Sequence, residues 1–258
     1  MTEAGIDTTR PSSARVWNYL LGGTDNFEID RVVGDQIKGS FPEIVVVARE
    51  QRRFLRRGVT WLAREAGVRQ FLDIGTGLPV EGTTHQVAQA VAPDARVVYV
   101  DNDPLVLAHA RELLTSTPEG ATAYVNSDVE DPARIVREAA RTLDFSRPVA
   151  LTMLGILGNV ADYAEARTIV DRLLGAVPSG SYLMVADGTA TSAGIVEGQR
   201  RANRAGHPYH LRSPEQVAGY LSGLEPVEPG VVPTPHWRPE SPVADAVTDG
   251  WCGIGLKP

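Results

Sequence analysis

Two rhythms of apolar and polar positions run along this chain. From Gln70 onward, short and nearly continuous apolar runs recur at 71–74, 97–100, 123–125, 149–154 and 182–186. Runs of that length and continuity read as strands buried on both faces. Between them lie stretches with helical spacing, at about 84–91, 104–114, 132–142 and 165–176. Their starts carry capping chemistry: Thr83 with Gln86 three positions on, Asp103-Pro104 and Asp131-Pro132. Strands alternating with helices predict a parallel sheet with right-handed crossovers. After 186 the rhythm changes. Ser213-Pro214-Glu215-Gln216 starts a helix that runs through Leu221, and then 226–232 and 251–256 follow as strand-like runs without a helix between them. Two strands joined without a helical crossover pair antiparallel. The Pro-rich segment 232–242 reads as a fixed loop.

The first seventy residues follow a different pattern. Residues 1–10 are polar and lack periodicity, which predicts disorder. Ser12 or Ser13 caps a helix whose Val16/Leu20 and Trp17/Leu21 pairs repeat at four, and Gly22-Gly23 stops it. A polar turn over 24–27 leads to a short helix at 30–38, broken by Phe41-Pro42. Residues 43–66 are helical, with Leu55, Val59, Leu62 and Ala66 on one face, and Gly58 weakens the middle enough to allow a break there. The division expected is a helical extension over 1–69 and one compact α/β unit over 70–258. Residues 11–27 hold Arg15, Tyr19, Gly22, Gly23, Asp25 and Asn26. Two glycines and short polar side chains suit a turn that hydrogen-bonds a ligand, so this segment is expected to close over the site as a lid.

The chemistry concentrates where the strands end. Phe71-Leu72-Asp73-Ile74 runs straight into Gly75-Thr76-Gly77-Leu78-Pro79. Gly75 and Gly77 permit backbone angles that other residues resist and leave no Cβ between main chain and ligand. Open α/β sheets bind nucleotides at such turns. The next strand ends in Asp101, 24 residues after Gly77, near the ~20-residue spacing at which an acid meets ribose hydroxyls. Asp103 already serves as the cap of the following helix, which leaves Asp101 free for a ligand. Asp128 ends the third strand in the same way, with Asp131 as the cap.

Asp73-x-Gly75-x-Gly77, Asp101 and Asp128 resemble the first three motifs of class I S-adenosylmethionine-dependent methyltransferases. More closely, the chain resembles an actinobacterial S-adenosyl methyltransferase family formerly catalogued as a domain of unknown function. The most specific stretches are 11–27 and 70–79, with Trp237-Arg238-Pro239 in support. The resemblance implies a Rossmann-like class I fold: a seven-stranded, mostly parallel sheet with an antiparallel last strand, plus the N-terminal helical extension. It implies S-adenosylmethionine as cofactor. Gly75 and Gly77 would flank its amino-acid and sugar portion. Asp101 would accept from the ribose, Asp128 from the adenine amino group, and Asp73 would order the loop. Asn102 and Val129 join them as neighbours in the same turns. Pro79 stands where the general motif has a third glycine and donates no hydrogen bond. That absence, with a late helix start, disfavours the alternative of a nicotinamide dinucleotide. From the lid side, Tyr19, Gly23 and Asn26 are expected at the cofactor, and Arg52 as a bidentate clamp on its methionine carboxylate.

Composition narrows the partners. A 43% hydrophobic chain of 258 residues suffices for one α/β domain with a full core. No apolar run approaches the ~18 residues of a membrane span, and the N-terminus lacks a signal-peptide core. The single Cys252 fits a reducing, cytoplasmic setting and reads as a small buried hydrophobe. A net charge of −7 argues against nucleic acid as the substrate. Arg49, Arg52, Arg53, Arg56 and Arg57 crowd one helix, mostly as a solvated face with one or two at a carboxylate. The expected acceptor is a small molecule methylated on oxygen or nitrogen, in secondary metabolism, and a homodimer is left open.

Candidate bases are His85, His207, His210 and His236, of which His207 and His210 occupy the loop where acceptors often sit in this fold. No acid or cysteine completes a metal site with them. The family that the chain resembles often carries histidines after the fourth and fifth strands, where this chain has Leu157-Gly158-Asn159 and Asp187-Gly188. Asn159 and Asp187 can still orient a hydroxyl or amine, so His207, His210, Asn159 and Asp187 are the catalytic candidates. The altered pocket also admits a second class of function: a protein that binds S-adenosylmethionine without transferring its methyl group.

Overall fold

A computed structural model describes residues 6–113, 115–206, 208–241 and 248–258. In chain order its helices are α1 (Ser13–Leu20), α2 (Glu28–Ser40), α3 (Ile44–Arg64), α4 (Thr84–Val91), α5 (Pro104–Leu113), α6 (Pro132–Ala139), α7 (Tyr163–Ala176), α8 (Ala193–Arg204) and α9 (Pro214–Gly219). The strands are β1 (Gln70–Ile74), β2 (Arg96–Asp101), β3 (Ala121–Asn126), β4 (Ala150–Leu154), β5 (Tyr182–Gly188), β6 (Glu225–Pro226), β7 (Val232–Pro233) and β8 (Gly250–Leu256).

The sheet order is β3-β2-β1-β4-β5-β8-β6, with β7 also paired to β8. Strands β1 to β5 are parallel and β8 runs antiparallel to β5, in the register Tyr182↔Leu256 to Gly188↔Gly250. The α/β architecture and the reversed strand are as expected; the strand count differs. Eight strands form because the run at 226–232 splits into two stubs, which pair with Leu256–Gly255 and with Cys252–Trp251 of β8. A turn separates the stubs, closed by Gly230 N–H donating to Val227 O at 2.9 Å. Pro229 in that turn has no N–H to give to a ladder.

Period-two alternation sends side chains to opposite faces. Leu72, Ile74, Val98, Val100, Leu151, Met153, Leu183 and Val185 pack under α6, α7 and the α9 region. Phe71, Val97, Tyr99, Ala150, Met184, Ala186 and Ile254 pack under α3 and α4 with Trp237. Both faces are therefore covered, which is why the strands read as unbroken apolar runs. Cys252 is buried in the second layer, as expected.

Helix α3, which precedes the first strand, belongs to this second layer. The helix runs unbroken through Gly58. A Cβ there would overlap Met184 Sδ at 2.7 Å, so the glycine lets α3 lie down on β5. Helix α8, with Gly194 and Gly198 and few apolar positions, was not legible as a helix. It packs through Ile195 and Ala202 against Val16, Leu20, Val33, Ile37 and Phe41 of the N-terminal segment. Together α1, α2 and α8 roof the sheet edge where β1 to β5 end.

Candidate active site

The turn after β1 is built as its glycines suggest. Gly75 and Gly77 have φ of 75° and 65°, values that strongly favour glycine. A Cβ on Gly75 would come within 2.6 Å of the Ile156 side chain, whereas one on Gly77 would meet open space. Asp101 is not free, contrary to expectation. Its Oδ2 accepts from Gly77 N–H at 2.8 Å and its Oδ1 from Asp103 N–H at 3.0 Å. It thus pins the glycine turn to the β2 turn, and burial pushes its carboxyl above the usual range. Each carboxylate oxygen still has a second acceptor site.

Asp73 is buried at the root of the same turn. Burial pushes its pKa up to about 6, opposed by the Thr84 hydroxyl and by the Arg52 charge. Thr84 Oγ1 donates to Asp73 Oδ2 at 2.5 Å. Arg52 donates to Gly82 O at 3.1 Å, and burial lowers its pKa. Among the five crowded arginines, Arg49, Arg53 and Arg56 face solvent. Arg57 instead donates to Trp237 O and Thr234 O at 2.8 and 2.6 Å.

A cavity of about 530 Å³ runs along this sheet edge. One end is lined by Asn102, Asp128 and Val129, the middle by Asp73, Gly75, Gly77 and Asp101, and the far end by Gly155, Asn159, Gly188 and Tyr209. Asn102 Nδ2 donates to Asp128 Oδ2 at 2.7 Å, which ties the second and third strand turns together. Helix α1 forms the roof. Ser12 does not cap it with its side chain; the Ser12 hydroxyl instead donates to Asp103 Oδ2. Arg15, buried, donates from Nε to Asp30 Oδ2 at 3.0 Å and lies 4.0 Å from Asp103. Ser13 Oγ donates to Asn159 Oδ1 at 3.1 Å. Asp103 caps α5 through Leu105 N–H at 2.8 Å, but it is also the catch for the roof.

Three of the lid residues expected at a cofactor, Tyr19, Gly23 and Asn26, lie off the cavity wall. Tyr19 turns to α2: its hydroxyl donates to Asp35 at 2.7 Å and its ring packs on Gly34, where a Cβ would clash at 2.5 Å. Asn26 donates to Asn18 Oδ1 and Gly23 O, both at 2.9 Å, and so closes the turn after α1. Gly23 leaves room for the Asn18 side chain, which a Cβ would overlap. Asn18 itself is buried and lines the cavity, as do the buried Arg15 and Gln51 and the half-buried Ser12 and Tyr209. None of these except Arg15 was singled out for the wall, because their placement depends on contacts far along the chain.

Among the catalytic candidates, Asn159 is on the wall. Asp187 is one step behind it, buried beneath Tyr209, whose hydroxyl donates to Asp187 Oδ1. Burial pushes the Asp187 pKa up to about 7, opposed by Tyr209, Arg212 and the Gly188 N–H. His210 is held by its backbone N–H to Gly158 O at 2.7 Å and is not on the wall. His207 lies outside the described residues. His85 is engaged elsewhere: its N–H and Nδ1 both meet Tyr99 Oη at 2.8 Å, and burial lowers its pKa. His236 sits in the 3₁₀ turn Thr234–His236, also off the wall. Among the described residues no cluster of three metal-ligating side chains occurs, and no helix is long and apolar enough to cross a membrane.

The glycine cradle, the open approach to Gly77 and a row of oxygen acceptors fit an adenosyl sulfonium cofactor with a ribose diol. Comparison with known proteins agrees. A domain-of-unknown-function family protein from Streptomyces avermitilis, of known structure, is 44% identical over 98% of this chain and 99% of its own, with a TM-score of 0.93. A protein of known structure from Thermobifida fusca is 41% identical over 98% of this chain and 97% of its own, with a TM-score of 0.91. The N-methyltransferase NodS from Bradyrhizobium japonicum, solved with S-adenosyl-L-homocysteine, shares the fold at 15% identity, over 95% of this chain and 99% of its own, with a TM-score of 0.51. No curated protein matches. The S-adenosyl methyltransferase family model matches residues 1–258, so the chain belongs to that family and is an S-adenosylmethionine-dependent methyltransferase.

Proposed function

We propose that this enzyme methylates an oxygen or nitrogen of a small molecule, held in the far half of the cavity that receives the cofactor. The observation that carries the reading is one roofed cavity of about 530 Å³, within the ~300–1,000 Å³ typical of small-molecule sites. When bound, S-adenosylmethionine supplies an electrophilic methyl group on a cationic sulfur. The chain's contribution is to hold the reacting atoms in line and to exclude water. In this reading Arg52 holds the methionine carboxylate, with the buried Asp73 beside it. Asp101 keeps the glycine turn closed and offers its spare acceptor sites to the ribose, while Asn102, Asp128 and Val129 receive the adenine. Asn159 and Gly188 face the acceptor. We assign the reaction to the cytoplasm, in keeping with one buried, unpaired thiol at Cys252, and to the modification of secondary metabolites.

Two measurements test this. Calorimetry with S-adenosylhomocysteine should show binding that Asp101→Ala weakens by roughly 1–3 kcal/mol, since the glycine turn loses a buried acceptor. Incubation of the protein with methyl-labelled S-adenosylmethionine and a fractionated cell extract should put label into the small-molecule fraction. Label confined to protein or nucleic acid would sink the small-molecule part.

A further inference from the structure

Tyr209 occupies a place cleared for it. A Cβ on Gly158 would overlap its ring, and one on Gly188 would lie 3.4 Å from Tyr209 Cε1. Its N–H donates to Asn203 Oδ1 at 3.0 Å, which anchors the segment to α8. The ring lines the cavity, and the hydroxyl donates to Asp187 Oδ1. The backbone N–H of Gly188 lies 3.1 Å from that same carboxylate oxygen and 3.4 Å from the tyrosine oxygen. Asp187 Oδ2 is buried and has no hydrogen-bond partner among the described residues. A carboxylate left half-satisfied at the end of a strand, joined to the cavity by one hydroxyl, costs stability without an evident structural return. The same end of the cavity is walled by the apolar Trp17, Leu20, Leu21, Ile44, Val47 and Ile195, with the uncharged amides of Gln51, Asn159 and Gln199 beside them.

We propose that Tyr209 is the catalytic residue that takes the proton of the methyl acceptor, with Asp187 behind it as positioning residue and proton sink, and that the acceptor is a neutral, apolar hydroxyl compound of the phenol class. The proposal rests on the reading of the cavity as a small-molecule methylation site. No charged side chain stands among these wall residues to pair with an ionised acceptor, which disfavours a charged one. A phenolic O–H, in contrast, can donate to the tyrosine oxygen while its ring meets the wall. The acceptor oxygen gains its bond to the methyl carbon as the old carbon–sulfur bond breaks, with that electron pair remaining on sulfur. The acceptor proton passes to Tyr209 Oη, and the Tyr209 proton passes to Asp187, which ends as a neutral acid. The groups facing this pair are Arg212, whose charge favours ionised Asp187, and the Tyr220 hydroxyl. Burial holds Tyr209 itself protonated far above its ordinary range, so it relays a proton rather than resting as phenolate.

The test uses the full chain loaded with S-adenosylhomocysteine, with 2-naphthol and 2-naphthoate as probes in calorimetry. The wild type should bind 2-naphthol at least about tenfold more tightly than the anion, and Tyr209→Phe should lose about tenfold in 2-naphthol affinity while keeping its affinity for S-adenosylhomocysteine. With S-adenosylmethionine, turnover of 2-naphthol should rise with pH through about 7, where Asp187 ionises, and Asp187→Asn should lose that rising limb. Preference for the anion, equal 2-naphthol affinity in wild type and Tyr209→Phe, or wild-type turnover that is absent or indifferent to pH overturns the proposal. The preference for 2-naphthol is read on wild type alone, so it stands as a test even if a variant fails to fold. Failure of S-adenosylhomocysteine to bind the wild type is a different result, because it strikes the cofactor assignments and not the acceptor.

Discussion

Asp73 shows how a single buried carboxyl sets a cost against a role. Its pKa is pushed from 3.8 up to about 6 by burial. An acid whose folded pKa lies above its unfolded value binds its proton more tightly in the folded state. The penalty for ionising it is therefore full above pH 6 and fades as the pH falls towards 4. Asp73→Asn should raise unfolding free energy at pH 8 by on the order of 1–3 kcal/mol, with the gain vanishing near pH 4. Denaturant unfolding across that range checks it, and a gain independent of pH would rule out ionisation as the cause. The same variant should bind S-adenosylhomocysteine less well, because Arg52 loses its charged neighbour. At this scale the sequence was readable where the chemistry is local: glycines that need positive φ, and acids at strand ends. It misled at Asp101, because the N–H of Gly77 that occupies it lies 24 residues away and leaves no trace in the spacing.

Helix α1 is held to the sheet edge by side chains rather than by its own cap. Asp103 receives Ser12 and lies near Arg15, while its other oxygen caps α5. Asp103→Ala should therefore weaken S-adenosylhomocysteine binding as well as cost about 1 kcal/mol of cap stability. Ser12→Ala and Asp103→Ala should be non-additive, with a coupling of about 0.5–3 kcal/mol; additive losses would mean that the catch is not a working contact. Helix α3 offers a second check. Gly58→Ala should destabilise by about 1–3 kcal/mol through overpacking against Met184, although alanine is the better helix former. A stabilised variant in thermal unfolding would contradict the close approach. Propensity alone marks Gly58 as a weak point because it cannot see what the helix lies against. Helix α8 escaped notice for the converse reason: its partners, Phe41 and Ile37, are far back in the chain.

For the whole molecule, the alternation of strands and helices carried the architecture, because a sheet covered on both faces imposes continuous apolar runs on its strands. The far half of the cavity was not legible in this way. Its walls come from α1, α3, α8 and the segment after it, and only the folded chain brings Trp17, Ile195 and Tyr209 together. With Val16 and Leu20 buried against Ile37, Ile44 and Val47, a chain lacking residues 1–27 should melt at lower temperature and lose cofactor affinity. Unchanged values of both would reduce α1 to an ornament.

The position of β8 bears on how the protein is made. It sits between β5 and the β6 and β7 stubs and hydrogen-bonds to all three, yet it is the latest of these strands to leave the ribosome. While the segment from Thr189 to Asp249 is being synthesised, the outer edge of β5 carries Leu183, Met184 and Val185 with no strand beside them. An open apolar edge is a template for pairing with another chain. Nascent chains that stall in this interval should be the ones that chaperones hold and that polysome crowding turns into aggregates, whereas a chain that has released β8 closes its own sheet.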